Sequence, residues 1–361
     1  MTDKLIDFSN CEINYGCNYG GSDRKFGIFY QGTPYMIKFS ENSQKKNVLA
    51  TSSINNCISE YIGSRIAKSV GLQAHDTQLG YYNGELVVAC KDFCSKNQVS
   101  WEFSDFMRMK YDSSDIGKLP KIEQIYDVIS NVPIMVRIKE EAINRYWDTF
   151  VVDALLANFD RHKGNWGYIV NPNEGTIMLA PTYDYGSTLY PSAGDDGIDA
   201  IISSSKEICE RIFVFPNAAL LVNNVKVSYY DMLTSGYDKH CSEAIKRVVP
   251  KMDMDVINAI IDETPLISDE RKNFYKTILF FRKELILDHA YECVRSGEFN
   301  EMSYTRIKMG IPYTKQEFFI DWDSGSYNSI KDYIEECSTT LFTSFLEQEA
   351  DTEKQEKRCS R

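Results

Sequence analysis

The sequence predicts an α+β fold with two lobes, in which a small, mostly β N-terminal lobe with one helix precedes a larger helical lobe. Strand and turn patterns fill the first part of the chain, one amphipathic helix interrupts them, and long helical patterns begin near residue 100. With 361 residues and 43% hydrophobic residues, the chain can bury a core in each lobe. We predict lobes over residues 1–95 and 96–346, and a disordered tail over 347–361.

The N-terminal lobe is predicted from two hairpins and the helix between them. Residues 25–30 and 35–39 form the first hairpin, and residues 79–82 and 85–90 form the second around Asn83-Gly84, a pair typical of type I′ turns. Apolar residues at offsets of three and four predict a helix over 54–70. Gly71 is placed to end this helix as its C′ residue.

The larger lobe is predicted from helical patterns around one short hairpin. An apolar stripe from Ile143 to Leu155 predicts a helix that stops just before Asn158, and residues 169–178 indicate a strand, a turn and a second strand. Ser268 is a typical N-cap before two acidic residues, and it predicts a helix of nearly thirty residues. A further helix is predicted over residues 328–347.

Charge and cysteine content exclude several classes of protein. The chain has 52 acidic and 40 basic residues, a net charge of −12, so it does not supply the clustered positive field that DNA or anionic lipid needs. We therefore predict no nucleic-acid partner and no membrane partner. Without a signal peptide or a long apolar stretch, a cytoplasmic location is expected, and export by another route stays open. Ten scattered cysteines without a CxxC pair predict reduced thiols.

Two polar motifs in the larger lobe carry the chemistry. Asp160-Arg-His-Lys-Gly-Asn165 follows a helix end, and the predicted hairpin after it would bring Asp184 of Asp184-Tyr-Gly186 back beside Asn165. Phosphoryl transfer needs hard oxygen ligands for Mg²⁺ and a carboxylate that orients or deprotonates the attacking hydroxyl. Asp160 is the candidate base, and Asn165 and Asp184 are the candidate metal ligands. His162 could bond the loop backbone or a phosphate oxygen, or simply pack in the loop.

The N-terminal lobe offers groups that would hold a nucleotide. Lys38 lies in an apolar strand, where a surface lysine is unusual, and it is the candidate phosphate clamp. Glu60 is its candidate partner, although a solvated carboxylate on the helix surface is an alternative. The glycine-rich stretch over residues 18–25 would let successive backbone N–H groups cradle phosphate.

These motifs resemble those of a known family. The DRHxxN loop resembles that of phosphatidylinositol 3/4-kinase-like enzymes, and Asp184-Tyr-Gly186 resembles the DFG-type magnesium motif of kinases. Residues 180–184 and the segment over 60–72 resemble HipA-like serine/threonine kinases, among them the compact CtkA type. The resemblance implies a bilobal protein-kinase-like fold, the cofactors ATP and Mg²⁺, autophosphorylation and a protein substrate. It also implies a toxin or effector role, with an antitoxin or host protein as partner.

The resemblance also assigns residues to the site. It implies Asp160, Lys38 and His162 as catalytic residues, and Cys90, Lys91 and Asp92 as the hinge beside the adenine and ribose. The nucleotide-binding residues that it implies are Gly20, Gly21, Ser22, Asp23, Arg24, Lys25, Lys38, Glu60, Cys90, Lys91, Asp92, His162, Lys163, Asn165, Tyr183 and Asp184.

Regulation is one respect in which this sequence departs from the family. The serine that HipA autophosphorylates ahead of its nucleotide-binding loop falls at Asn18 here, so Ser22 is the nearest hydroxyl. Residues 185–211 would form the activation segment, with Ser187, Thr188 and residues 203–205 as candidate phosphorylation sites.

Other functions stay open at this point. A lipid or small-molecule phosphotransferase would use the same groups, although no basic or amphipathic segment for membrane docking is evident. An ATP-binding pseudokinase scaffold is disfavoured because Lys38, Asp160, Asn165 and Asp184 are all present. A kinase-fold enzyme that binds ATP inverted would transfer AMP instead of phosphate.

Overall fold

A six-stranded sheet and one helix form the N-terminal lobe. The computed structural model describes residues 5–16, 24–40 and 55–338, except for the side chain of Asp196. The strands of the sheet are β1 (Ile6–Asp7), β2 (Glu12–Asn14), β3 (Lys25–Tyr30), β4 (Thr33–Phe39), β5 (Thr77–Tyr82) and β6 (Glu85–Lys91), and helix α1 spans Asn56–Ser69. Their order in the sheet is β1-β5-β6-β4-β3-β2. Only β1 and β5 among these neighbours are parallel.

The local sequence signals of this lobe are confirmed. Strands β3 and β4 pair antiparallel, as do β5 and β6, and Asn83 and Gly84 have φ values of 50° and 80°, as a type I′ turn requires. Gly71 has a φ of 87°, and its N–H donates to the carbonyl of Lys68 after the last turn of α1. A residue with a Cβ rarely adopts this left-handed conformation, so the glycine sets the end of the helix.

The two faces of the sheet have different neighbours. On the outer face, Ile37, Phe39, Val87 and Ala89 pack in a small cluster with Phe8 and others. The inner face contributes to the main core with α1, through side chains that include Leu79, Val88 and Cys90. Successive residues of a strand point to opposite faces, so Lys38 lies on the inner face, in register with Val88. This placement turns its side chain towards α1.

The larger lobe is mainly helical. Its strands are β7 (Val99–Glu102), β8 (Gly167–Asn171) and β9 (Thr176–Leu179), which form an antiparallel sheet, and the hairpin β10 (Asn217–Val222) and β11 (Val225–Ser228). Its helices are α2 (Phe103–Arg108), α3 (Ile122–Asn131), α4 (Lys139–Leu156), α5 (Asp195–Ile202), α6 (Ser205–Cys209), α7 (Tyr229–Thr234), α8 (Lys239–Val248), α9 (Met254–Glu263), α10 (Asp269–Arg282), α11 (His289–Ser296), α12 (Glu301–Met309) and α13 (Lys315–Asp323).

The long helix predicted after Ser268 is present with one irregularity. The Ser268 hydroxyl accepts a hydrogen bond from the Arg271 N–H, and the chain stays helical to Ser296 through a π-helical turn at Lys283–Asp288. A π-turn widens the helix locally by one residue, which a period of 3.6 does not reveal. A last helix begins at residue 328 and is described to residue 338, so the rest of its predicted span and the predicted tail over 347–361 lie outside the described residues.

Several global expectations can be compared with this architecture. The α+β prediction is confirmed, and the exact lobe boundary at residues 95 and 96 stays a prediction. Among the eight cysteines within the described ranges, the structure contains no disulfide bond. Among the described helices, none combines the length and the apolar character that crossing a bilayer requires.

Candidate active site

The two lobes meet at a buried lysine with two carboxylates. The Nζ of Lys38 lies 3.0 Å from Oε2 of Glu60, which comes from α1, and 2.9 Å from Oδ1 of Asp184, which comes from the larger lobe. Strand β4 delivers the lysine and α1 the glutamate, whereas Asp184 follows β9 on the chain. The predicted phosphate clamp, its acidic partner and one predicted metal ligand are therefore brought together.

Glu60 also binds the backbone of the Asp-Tyr-Gly motif. Its Oε1 accepts a hydrogen bond from the Tyr185 N–H at 3.0 Å, and its Oε2 accepts one from the Gly186 N–H at 3.1 Å. Asp184 itself has a φ of 63°, a conformation that costs free energy for a residue other than glycine. The contacts of Glu60 hold the motif in this shape, so α1 and the motif are positioned as one unit.

The electrostatics of this cluster follow from burial and pairing. Burial alone would lower the pKa of Lys38, but the carboxylates of Asp184 and Glu60 outweigh it and raise that pKa well above the usual range. Burial would likewise raise the pKa of Glu60, but Lys38, His75 and the Tyr185 N–H lower it strongly. Both groups are thus charged at neutral pH, and the lysine is cationic as a phosphate ligand must be.

The catalytic loop starts where α4 ends. Ala157 adopts the left-handed conformation at the C-terminus of α4, with a φ of 55°. The next residue, Asn158, is buried: its side-chain amide donates to Oδ1 of Asp153 at 2.9 Å, and its side-chain oxygen accepts from the Asp160 N–H at 3.0 Å. The first turn of the loop is thereby attached to the helix before it.

Arg161 connects this loop to the Asp-Tyr-Gly motif. Its guanidinium is buried and contacts Asp153 twice, Nε to Oδ2 at 2.8 Å and Nη2 to Oδ1 at 3.0 Å. Its Nη1 donates to the carbonyl of Asn165 at 2.7 Å and also to the carbonyl of Tyr183. One side chain therefore fixes both ends of the loop and the residue before Asp184.

The polar groups of the loop are oriented by short hydrogen bonds. The side-chain amide of Asn165 donates to the carbonyl of Asp160 at 2.7 Å, which leaves its oxygen as a possible metal ligand. The Gly164 N–H donates to Nδ1 of His162 at 3.0 Å, so the ring bonds the loop backbone, one of the interpretations considered for it. The carboxylate of Asp160 accepts no hydrogen bond from another described residue and is partly exposed.

Most of the glycine-rich loop before β3 lies outside the described residues. This applies to four predicted nucleotide-binding residues, Gly20, Gly21, Ser22 and Asp23, and to Asn18. Lys25 is directly opposite Lys38 in the ladder of β3 and β4, so the two side chains share the inner face.

The side chain of Arg24, one of the predicted nucleotide-binding residues, is directed away from Lys38. Its guanidinium pairs with both oxygens of Glu85, at 2.9 and 2.7 Å, and lies 3.7 Å above the ring of Phe39. Phe39 belongs to the outer face of the sheet, so the Arg24 side chain is on the side away from Lys38. The sequence alone shows that the residue is basic but not which face it takes.

The residues predicted to form the hinge take part in the hydrogen bonding of the sheet. Cys90 pairs with Met36 on one side and Thr77 on the other, and the Lys91 N–H donates to the carbonyl of Asp76 at 2.8 Å. The Asp92 N–H donates to the carbonyl of Pro34 at 3.0 Å. These donors are taken up by the sheet, so they are not available to a ligand.

The next residues of the hinge are placed differently. The Phe93 N–H donates to no other described residue, and its ring lies 6.0 Å from that of Tyr183, nearly parallel to it. The carboxylate of Asp92 accepts a hydrogen bond from the Cys94 N–H at 2.9 Å. Phe93 was not among the predicted site residues.

Two further predicted residues take positions that restrict their roles. The amino group of Lys163 donates to the carbonyls of Gly117 and Lys118, which directs it to that loop, and its nucleotide contact stays a prediction. Thr188 is fully buried and donates to the carbonyl of Tyr185 at 2.8 Å. It is therefore inaccessible as a phosphorylation site in this conformation, whereas Ser203 is exposed.

Sequence reasoning missed two buried residues of this site. Asp153 holds Arg161 from within the apolar stripe of α4, where a single acid at a core position was the available signal. His75 lies with its Nε2 2.9 Å from Oε1 of Glu60, just before β5, and no local pattern marks it. Its backbone N–H donates to the carbonyl of Thr182, a contact between distant segments that only the fold creates.

A sheet lobe with a paired lysine, facing a helical lobe with an Asp-x₄-Asn loop and an Asp-Tyr-Gly motif, defines the protein kinase fold. Comparison with known proteins supports this assignment of the fold. The family described as HipA-like C-terminal domain matches residues 17–256. Serine/threonine-protein kinase CtkA of Helicobacter pylori strain J99 is 38% identical over 289 residues, which are 79% of this chain and 87% of that protein.

Solved structures extend the comparison. The crystal structure of a Helicobacter pylori proinflammatory kinase CtkA matches with a TM-score of 0.77 and 35% identity, over 82% of this chain and all of that one. HipA of Shewanella oneidensis, solved with HipB and operator DNA, matches with a TM-score of 0.50 over 78% of this chain and 67% of that one. At 15% identity, the second likeness concerns the fold alone.

The chain belongs to the HipA-like C-terminal domain family, and it is a kinase of the HipA/CtkA type. The predictions of the family, the kinase-like fold and the enzyme class are confirmed. The roles of the individual site residues, and the absence of a nucleic-acid partner, stay predictions.

Proposed function

We propose that the chain transfers the γ-phosphate of ATP to serine or threonine hydroxyls of a protein, itself included, with the help of Mg²⁺. The observation that carries this proposal is the convergence of Lys38 on Glu60 and Asp184, with contact distances of 3.0 and 2.9 Å. A lysine held by a helix glutamate beside a metal-binding aspartate is the arrangement that phosphoryl transfer in kinases requires.

The donor set fits the cofactor. Asp184 offers a carboxylate and Asn165 an amide oxygen, and such hard oxygen ligands suit Mg²⁺. Bound Mg²⁺ would neutralise charge on the phosphates during transfer. Lys38 would then grip the phosphate oxygens, and because Asp184 already contacts it, one cluster holds the groups for both phosphate and metal.

The remaining residues position the reacting groups. The free carboxylate of Asp160 would accept the proton of the attacking hydroxyl and orient its oxygen. Arg161 and Asp153 would keep that carboxylate and Asn165 in place, and His162 would hold the loop backbone. These supports are buried or partly buried hydrogen bonds within the protein, so the loop is organised before any substrate arrives.

The adenine contact is proposed at a register later than the sequence indicated. The Lys91 N–H is used in the sheet, so we assign the edge of the base to the Lys91 carbonyl and the Phe93 N–H. The rings of Phe93 and Tyr183 would border the base, and Asp92 would lie near the ribose. Lys25, on the face of Lys38, would contribute positive charge near the phosphates.

The biological setting is also part of this proposal. A toxin or effector role and an antitoxin or host partner come from the family resemblance, whereas the cytoplasmic location, with export left open, comes from the sequence itself. The proposal of a protein acceptor is the part that can be measured directly.

The test is incubation of the purified full chain with γ-labelled ATP and Mg²⁺, beside Asp160→Asn and the matched variant Asp148→Asn, which lies on α4 away from the loop. We expect phosphoserine or phosphothreonine, located by mass spectrometry, in the wild type and Asp148→Asn but not in Asp160→Asn. AMP on the protein would replace the proposal with nucleotidyl transfer. ATP binding without transfer to this chain or to a panel of proteins would favour a small-molecule phosphotransferase or a pseudokinase.

A further inference from the structure

A second cluster of ligand-type side chains lies behind the lysine. One oxygen of Glu60, one nitrogen of His75 and the sulfur of Cys90 are all within 4.8 Å of one another. All three residues are almost completely buried, with exposures of 1%, 4% and 3%. The proposed transfer uses the carboxylate of Glu60, but it uses neither the imidazole nor the thiol.

His75 shows that this cluster is not satisfied within the described part of the protein. Its Nε2 is 2.9 Å from Oε1 of Glu60, but a proton on that nitrogen would not point along the line between the two atoms. Nε2 therefore makes no well-formed hydrogen bond to any described residue. Buried polar atoms are nearly always partnered, so a buried nitrogen of this kind indicates a missing ligand.

We propose that Glu60, His75 and Cys90 form an inhibitory site for a divalent transition metal, with Zn²⁺ as the best-matched ion. Thiolate, imidazole and carboxylate are the ligands that zinc prefers, whereas Mg²⁺ and Ca²⁺ prefer oxygen ligands alone. Zn–S bonds of about 2.3 Å and Zn–N or Zn–O bonds of about 2.0–2.2 Å place tetrahedral ligand atoms roughly 3.3–3.7 Å apart. The largest of the present separations, at most 4.8 Å, needs to close by no more than about 1.5 Å, and the 2.9 Å between Nε2 of His75 and Oε1 of Glu60 needs to open by about 0.4 Å.

The charge and proton balance of binding can be stated. The Cys90 thiol is buried beside the carboxylate of Glu60, and a cysteine without a bound metal carries its proton at neutral pH because its ordinary pKa is about 8.5. The metal–sulfur bond forms as the S–H bond breaks, and one proton leaves to the solvent. Thiolate and carboxylate together neutralise the two charges of the metal, and Lys38 keeps Asp184 as its counter-ion.

Inhibition follows from the contacts of Glu60, and this step rests on the proposed function. The same carboxylate that would bind the metal holds Lys38 and the N–H groups of Tyr185 and Gly186. Moving it towards His75 and Cys90 loosens the lysine and the Asp-Tyr-Gly motif together. Zinc would therefore stop phosphoryl transfer without occupying the Mg²⁺ ligands, and a chelator would restore it.

Metal binding is tested on the full chain without nucleotide, so that it does not depend on kinase activity. Zn²⁺ binding and proton release are measured by calorimetry, and Co²⁺ is used as a spectroscopic probe for thiolate ligation. We compare the wild type with Cys90→Ser, His75→Gln and the control Cys209→Ser, a buried thiol in α6 that belongs to another region. Circular dichroism and thermal unfolding check that each variant is folded.

The expected result is one tight equivalent of metal and one released proton in the wild type and in Cys209→Ser. We expect affinity at least about 10-fold weaker in Cys90→Ser and His75→Gln. A wild-type cobalt complex without a thiolate-to-metal absorption band overturns the site, whether or not the variants fold. Equal affinity in all four folded proteins overturns it as well.

Inhibition is measured separately as the zinc concentration that halves phosphate incorporation, relative to the uninhibited rate of each protein. A shift of at least about 10-fold to higher zinc in Cys90→Ser supports the inhibitory role. Metal bound at the site with an unchanged rate overturns that role. A chain that binds the metal but transfers no phosphate with any acceptor contradicts the proposed function and leaves the metal site supported.

Discussion

Removal of Asp153 is the most direct test of how the catalytic loop is held. This carboxylate is 1% exposed and accepts two hydrogen bonds from Arg161, at 2.8 and 3.0 Å, and one from the side chain of Asn158 at 2.9 Å. Asp153→Ala would leave the buried guanidinium without a counter-charge. Breaking a buried pair in this way costs about 3–5 kcal/mol, so we expect the free energy of unfolding to fall by that amount.

A matched carboxylate lies on the same helix. Asp148 also contacts an arginine twice, through Arg247 at 2.7 and 3.1 Å, but both side chains are partly exposed to solvent. Burial raises the pKa of Asp148 in spite of Arg247. The attraction between the two side chains therefore does not compensate for the hydration that the carboxylate loses. Asp148→Ala should therefore cost no more than about 1 kcal/mol.

Urea unfolding with linear extrapolation measures both variants. Asp153→Ala should also reduce phosphate incorporation, because Arg161 holds Asn165 and Tyr183 from the same guanidinium. The double variant Asp153→Ala/Arg161→Met should regain part of the stability, since the unpaired charge is gone. If the free energies of unfolding of Asp153→Ala and Asp148→Ala differ by less than about 1 kcal/mol, the assignment of Asp153 as the residue that holds the loop is wrong.

Three further predictions concern charged residues of the site. Asp184→Asn should lower Mg²⁺-dependent phosphate incorporation at least about 100-fold while circular dichroism stays unchanged, and near-wild-type turnover would count against its metal role. The folded-state pKa of Glu60 is lowered, so its stabilisation is present above its unfolded pKa of about 4.3 and is lost as the pH falls below that value. The stability advantage of the wild type over Glu60→Gln in urea should accordingly shrink between pH 7 and pH 3, and an advantage that grows would contradict the sign. Arg24→Met should change the affinity for ATP by less than about 2-fold, because the pair that Arg24 forms with Glu85 is exposed and lies away from Lys38. Lys38→Met should weaken ATP binding at least about 10-fold. Fluorescence titration with ATP measures the affinity of both variants.

Local patterns were sufficient for the elements that carry the site. Each hairpin is set by its own turn residues, and α1, α4 and the helix after Ser268 follow from apolar spacing and caps. The acidic and amide residues of the catalytic loop were found because phosphoryl transfer needs those groups at a short spacing. Lys38 was identified because a lysine within an apolar strand is rare unless its charge is paired.

The residues that the sequence did not reveal depend on contacts between distant segments. His75 meets Glu60 only because residues 73–75 run beside Thr182, in the segment that leads into the Asp-Tyr-Gly motif. The face of the sheet on which Arg24 lies was hidden for a similar reason, since its position relative to Phe39 depends on how the strands pair. The sequence also does not reveal that the pairing of β6 with both neighbours extends to Lys91, and this pairing decides which backbone groups of the hinge are free.

Gly63 couples α1 to the Asp-Tyr-Gly motif through direct packing. A Cβ added at this position would be 2.6 Å from Cβ of Tyr185 and 2.9 Å from its Cγ, and Tyr185 is completely buried. Alanine is better than glycine in a helix by about 1 kcal/mol, but forcing an atom into a packed core costs about 1–3 kcal/mol. Gly63→Ala should therefore lower stability by up to about 2 kcal/mol and reduce turnover, because the displaced tyrosine follows Asp184 directly.

Gly197 supplies the control, since it is a helical glycine in α5 whose added Cβ would meet no atom within 4 Å. Gly197→Ala should stabilise the protein by about 0.5–1 kcal/mol, because only helix propensity changes. Opposite signs for the two substitutions in urea unfolding would show that the contact with Tyr185 outweighs propensity. If Gly63→Ala instead gains stability and retains full phosphate incorporation, α1 and the motif are not coupled through this contact, and Glu60 alone must connect them.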